Sequence, residues 1–196
     1  MIARILITTA AALALAGCGG GGSTSSATTT SAAVATAAAT TTAGIDPLRG
    51  AGTTPVHAPA THRQVALLTG VRAARHEGFD RVVFEFRNVE PGYGVRYVRR
   101  PLREDGSGKV VPVKGAYVLR VRMENALDAD LTKAGAPMTY TGPRRITPRT
   151  PEIAELVKTG GFEAVLTWAI GVRDRVGFRV STLRAPARLV IDLRNH

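Results

Sequence analysis

The sequence predicts an all-β fold, an antiparallel β-sandwich with one short α-helix, preceded by a signal peptide and a disordered linker. Three observations lead there. In the C-terminal part of the chain apolar and polar residues alternate with a period of two, as in strands with one buried and one wet face. Turn-forming clusters such as EPGYG, EDGSGK and TGPRR separate these runs. All ten aromatic residues lie between Phe79 and Phe178, so only that part of the chain has the side chains to build a sizeable core.

Taken in chain order, residues 1–17 read as a secretion signal: Arg4, an uncharged and largely apolar run from Ile5 to Leu15, then the small residues Ala16 and Gly17. The run is shorter than the about 20 residues that a membrane-spanning helix needs. No other stretch is long and apolar enough either. The next residue, Cys18, is the only cysteine, which excludes a disulfide within the chain. Leu15-Ala16-Gly17-Cys18 resembles the lipobox of bacterial lipoproteins. That resemblance implies cleavage before Cys18, lipidation of its thiol, and a place on the extracytoplasmic face of the cell membrane. Two acyl chains hold a protein there durably where one binds reversibly, because each buried methylene contributes about 0.8 kcal/mol.

Residues 18–62 form the next segment. Gly19 to His62 is Gly, Ser, Thr and Ala with scattered Pro and no aromatic residue. Such a composition buries too little apolar surface to offset the entropy of ordering it. The expectation is a disordered tether, spanning roughly 35 to 40 Å for a flexible chain of about 44 residues. Its threonine-rich pieces suit O-linked sugars. The folded domain is then residues 63–196, a usual size for one domain around one core.

Within it, strands are expected near 65–74, 81–87, 94–99, 109–113, 117–123, 163–172, 176–183 and 187–193. In RVVFEFR, Val82, Phe84 and Phe86 alternate with Val83, Glu85 and Arg87; in YVLRVRM, Tyr117, Leu119, Val121 and Met123 alternate with Val118, Arg120 and Arg122. In RLVIDL, Leu189, Ile191 and Leu193 alternate with Arg188, Val190 and Asp192. AVLTWAIGV is apolar on both faces, the mark of a covered strand, and Trp168 between Leu166 and Ile170 belongs to the core. The single helix is expected at 150–161: Thr150 as N-cap, Pro151 and Glu152 in the first turn, Ile153, Leu156 and Val157 on one side, and Gly160-Gly161 as the stop.

Four stretches together, RHEGFDRVVFEF at 75–86, PGYGVRYV at 91–98, GFEAVLTWAIGV at 161–172 and FRVSTLRAPARLVIDL at 178–193, resemble the AMIN-like domain of bacterial envelope lipoproteins. The closing PARLVIDL and the early DRVVFEF are also similar to the AMIN domain of periplasmic cell-wall amidases. The resemblance implies a β-sandwich that binds peptidoglycan or an associated wall glycan without cutting it, or that targets sites of wall growth. The zinc amidase domain that accompanies the AMIN domain has no counterpart here.

The residues themselves give little for catalysis. His76, Glu77 and Asp80 in RHEGFDR are the one acid-base cluster, and an envelope hydrolase using them is the alternative function. As H-E-x-x-D it lacks the second histidine of a zinc motif, and it falls at a turn between strands. The domain's only serines, Ser107 and Ser181, sit in no nucleophile motif, and GSGKVV at 106–111 lacks two residues of a phosphate loop and reads as a hairpin turn. No catalytic residue, metal or cofactor is expected.

Charge says more. The chain has 26 basic and 15 acidic residues, and once Arg4, Arg49 and Asp46 are set aside the domain keeps 24 and 14. Such an excess draws in anions. Outside the cytoplasm these are wall polymers bearing carboxylate or phosphate and lipid headgroups, not nucleic acid. The bland reading is that Arg stands in for Lys throughout and that Glu85 and Asp192 pair with it across strands. PGYGVRYVRR combines flat apolar area with charge, which makes Tyr93, Arg96, Tyr97, Arg99 and Arg100 the ligand-binding candidates, although Val95 and Tyr97 share a strand face that can also point inward. The expected function is a non-enzymatic, lipid-anchored binding module for peptidoglycan or an anionic wall polymer, with docking to another envelope protein through a sheet edge as a further alternative.

Overall fold

The computed structural model describes residues 48–196. In chain order its strands are β1 (Val56–Ala58), β2 (Ala66–His76), β3 (Phe79–Phe86), β4 (Gly92–Val98), β5 (Tyr117–Glu124), β6 (Ala126–Leu127), β7 (Arg145–Ile146), β8 (Ile153–Phe162), β9 (Val165–Val172), β10 (Phe178–Arg184) and β11 (Ala187–Arg194). They form two sheets, one of order β1-β4-β5-β9-β8-β7 and one of order β10-β11-β3-β2-β6. Every pairing is antiparallel except the two-residue contact of β6 with β2.

The alternation read from sequence sets which residues face inward. Val82, Phe84 and Phe86 of β3 and Leu189, Ile191 and Leu193 of β11 meet Leu119, Val121 and Met123 of β5 and Leu166, Trp168 and Ile170 of β9 in one core. Burying such side chains contributes about 1.5–3 kcal/mol each, which makes this layer the main source of stability. Trp168 is central, edge-on to Phe84 of the opposite sheet and to Tyr140, with ring centroids 5.8 Å apart in both cases.

Three expectations need correction. The predicted helix at 150–161 is strand β8. Irregularities between Ile153 and Glu155 and between Lys158 and Gly160 break its period, so Ile153 opposite Val172 and Leu156 opposite Ile170 both face inward although three residues apart. Bulges thus imitate helical spacing. The Thr150 hydroxyl donates to the Ile153 carbonyl instead of capping an N–H, and the amides of Glu152 and Ile153 donate to Asp80 Oδ2 on the other sheet. The predicted strand at 109–113 is a covering segment with one bridge, Arg103 to Val110. Pro112 has no N–H to give a ladder. Finally, order starts before Arg63: β1 pairs with β4, Gly52 bridges Phe178, and Leu48 is buried. Residues 48–62 therefore do not belong to a disordered tether, because they complete the edges of both sheets. Cys18, the signal and the rest of the linker lie outside the described residues.

Candidate functional site

The site is built on the outer face of the six-stranded sheet. Since Leu119, Val121 and Met123 enter the core, Val118, Arg120 and Arg122 of β5 must point away from it; since Val95 does, Arg96 and Val98 of β4 do the same. Register then places Arg96 directly opposite Arg120, and Gly94 opposite Arg122. Like charges in direct opposition destabilise a sheet by a few tenths to about 1 kcal/mol.

The connection 99–116 between β4 and β5 roofs this face. Leu102 and Val113 pack on Val118, Val157 and Ala169 as a second, smaller core, with Val98 and Val111 at its margin. Two glycines let it lie flat: a side chain at Gly171 would run into the Lys114 carbonyl, and one at Gly160 into the Asp105 carboxylate. Asp105 is pinned, its amide donating to the Thr159 carbonyl at 2.9 Å and its Oδ2 accepting the Thr167 hydroxyl at 2.5 Å. Between roof and sheet runs a cleft of about 520 Å³ that brings Arg96, Arg99, Arg103 and Arg120 together.

The pairing of these cations is uneven. Arg103 donates to the Gly108 carbonyl at 2.9 Å. Arg96, Arg99 and Arg120 take part in no hydrogen bond or salt bridge among the described residues, and Asp105 in the cleft wall is the acid that Arg120 feels. Burial and then the Arg96 charge push the Arg120 guanidinium below its ordinary value, and Asp105 only partly offsets them. Glu104, at the rim, is taken by the Ser107 hydroxyl at 2.7 Å and by Arg144 at 3.1 Å. The outer face of the other sheet is the opposite case: Arg81 makes a two-pronged contact with Asp192 at 2.7 and 2.9 Å, and Arg72 pairs with Glu85. Cross-strand pairing therefore occupies Arg81 and Arg72 on that sheet, and Arg145 with Glu155 at the β7–β8 edge of the six-stranded one, but not Arg96 and Arg120.

Arg122 continues the row towards a smaller cleft of about 190 Å³, where Phe162 stands 66 % exposed. Its turn is unusual, because Glu163 and Ala164 both take positive φ, 50° and 56°, without being glycine. Strain of this kind persists where the surrounding structure imposes it. Phe162 was not singled out from sequence; the one signal was an aromatic residue beside a Gly-Gly pair at a strand end.

Of the predicted ligand residues, Arg96, Tyr97 and Arg99 border the arginine cleft. Tyr97, Arg99 and Arg100 border an adjoining one of about 480 Å³ with Tyr117 and Arg175. Arg100 is engaged there, donating to the Gly115 carbonyl at 2.6 Å. Tyr93 packs against the main core. Tyr97 also faces inward: its ring is edge-on to Phe178 at 5.9 Å, its hydroxyl donates to the Val176 carbonyl at 2.8 Å, and the Arg175 guanidinium covers it at 5.4 Å. Burial, then the nearby Glu152 charge, pushes this hydroxyl's pKa up to about 12. The tyrosines and Arg96 thus occupy opposite faces of β4.

His76, Glu77 and Asp80 are not gathered. His76 is exposed and stacks on Phe79 with centroids 4.7 Å apart. Asp80 is fully buried and looks the other way, accepting the amides of Glu152 and Ile153 at 2.7 and 3.1 Å and the Asn195 amide at 2.7 Å. It ties the two sheets together. Among the described residues no group of three or more His, Cys, Asp or Glu side chains is placed to hold a metal ion.

Compared with known proteins, residues 66–195 match the family model of the AMIN-like domain. No curated protein and no solved structure matches the chain.

Proposed function

Because the chain belongs to the AMIN-like domain family, a family of binding or targeting modules related to the cell wall, we propose that it binds an anionic wall polymer, peptidoglycan or an attached glycan bearing carboxylate or phosphate, through the Arg96–Arg120 cleft. One observation carries this reading: two arginines are held face to face beneath a roof, without a salt bridge among the described residues and with Asp105 offsetting them only in part, at a cost to stability. An anion between them would turn that repulsion into charge-assisted hydrogen bonds, for which the forked guanidinium is suited. Phe162 offers a flat face for a sugar ring at the far end of the row. In this reading the lipid on Cys18 moors the module outside the cell, and the tether lets it search the space above the membrane. No step of catalysis is included.

The test is co-sedimentation of the full chain, carrying Cys18→Ala, with purified wall sacculi. Binding that weakens as salt rises is expected. Absence of co-sedimentation at low salt would remove the proposal. For the anchor, Cys18→Ala is expected to move the protein out of the membrane fraction, and an unchanged distribution refutes lipidation. A second reading, docking of an extended protein segment, rests on β2, which beyond Ala66-Leu67 pairs with β3 alone among the described residues; wall-free capture of one envelope protein would favour it.

A further inference from the structure

On the other side of the β8–β9 turn from Phe162, the connection after β6 folds against the start of β2 and Ala164 of that turn. Between them lies a cleft of about 680 Å³, within the usual range for a small-molecule site. Its walls are aliphatic: Val65, Leu67, Leu127, Leu131 and Ala164. Leu131 stands 64 % exposed at the mouth. The Asn88 amide in the wall is satisfied on both sides, its Oδ1 accepting from the Leu67 amide at 3.0 Å and its Nδ2 donating to the Val65 carbonyl at 2.7 Å. It therefore has little to offer the hydroxyls of a sugar.

The rim is cationic. Asp130 is buried, and one of its oxygens accepts the Thr132 amide and hydroxyl at 3.2 and 2.5 Å. The Thr132 hydroxyl chiefly holds this carboxyl below its usual range, so it stays charged. Its other oxygen faces Arg87 at 3.6 Å and Lys133 at 3.7 Å. Two cations share one carboxylate, which leaves a positive charge in surplus beside an apolar slot.

We propose that this cleft binds a single-chain anionic amphiphile, its aliphatic chain against Leu67, Leu127 and Leu131 and its anionic head at Arg87 and Lys133. The site is separate from the arginine cleft and does not depend on what that cleft holds.

The test is calorimetric titration of the full chain, carrying Cys18→Ala, with octanoate, decanoate and dodecanoate below their micelle concentrations. One equivalent is expected to bind, with affinity rising by up to about fourfold per added methylene. Leu131→Ser, at an exposed position where folding is not at stake, is expected to abolish that dependence. Arg87→Gln is expected to weaken decanoate about tenfold and to leave decanol unchanged. Arg120→Met is expected to leave amphiphile binding unchanged. Absence of binding by all three acids, an affinity independent of chain length, or an unaltered Leu131→Ser variant would overturn the proposal. So would self-association through Leu131 without uptake of amphiphile.

Discussion

Replacing Arg120 by Met should make the protein more stable and less able to bind. Methionine keeps an apolar stem of similar length against the half-buried surface while removing the charge. In the unbound protein Arg120 faces Arg96 across the β4–β5 ladder, and burial with the Arg96 charge already lowers its proton affinity. Relieving one directly opposed like-charge pair is worth about 0.2–1 kcal/mol, which raises the melting temperature of a domain this size by about 1–4 °C. With an anion bound the sign reverses. Losing one charge-assisted hydrogen bond removes about 1.5–3 kcal/mol, so sacculus binding should fall roughly 10- to 100-fold. The two readouts, thermal melts at low salt and co-sedimentation, must move in opposite directions. Added salt should shrink the stability gap, since it screens the repulsion. A lower melting temperature with unchanged binding would show that Arg120 is a packing residue, and the argument for the cleft would fail.

Three further outcomes follow from the geometry. Asp80→Ala leaves the buried amides of Glu152 and Ile153 without their acceptor and should destabilise by about 3 kcal/mol or more in denaturant unfolding; Asp80→Asn, which keeps one acceptor oxygen, should lose less. Burial above all holds the Glu152 carboxyl above its ordinary value, so its contribution to stability is fully present below the unfolded-state pKa and is lost as pH rises through the higher folded one. Glu152→Gln, whose amide oxygen can still accept from Asp174, should therefore gain on the wild type as pH rises above the ordinary glutamate range, and parallel curves for the two proteins would refute the assignment. Ala164→Gly relieves a positive φ of 56° and should stabilise by about 0.5–1 kcal/mol, read from the denaturant midpoint.

Much of the sandwich was legible because most of its strands keep one face dry. Wherever the period of two ran unbroken, as in β3, β5 and β11, the inward and outward residues follow from the sequence alone. β8 defeats that reading for a physical reason: its irregularities shift the inward positions to a spacing of three, and its polar Glu155 and Thr159 are themselves buried, so no wet face marks the period. Thr150, Pro151 and Glu152 resemble a helix start because the same groups satisfy a strand entry here, with the side chain of Asp80 from a distant strand receiving the amides. No local signal records that arrangement.

The cleft was half legible, and the missing half explains why composition alone was ambiguous. Outward arginines can be read from periodicity, but whether each meets an acid depends on register between strands. On the five-stranded sheet, register sets Asp192 against Arg81; on the six-stranded sheet, it sets Arg96 against Arg120. The same residue type is thus neutralised at Arg81 and opposed by its own charge at Arg96 and Arg120. The roof deepens the difference. Val111 and Val113 suggested a strand, yet with Leu102 their apolar side chains pull the segment down onto Val118, Val157 and Ala169, away from any extended ladder. This brings Arg99 and Arg103 to the opposed pair in one cleft, where Arg96, Arg99 and Arg103 are exposed and Arg120 is half-buried. Charges scattered over a sheet face would attract anions weakly; gathering Arg96, Arg99, Arg103 and Arg120 in one cleft concentrates the positive field at a single place.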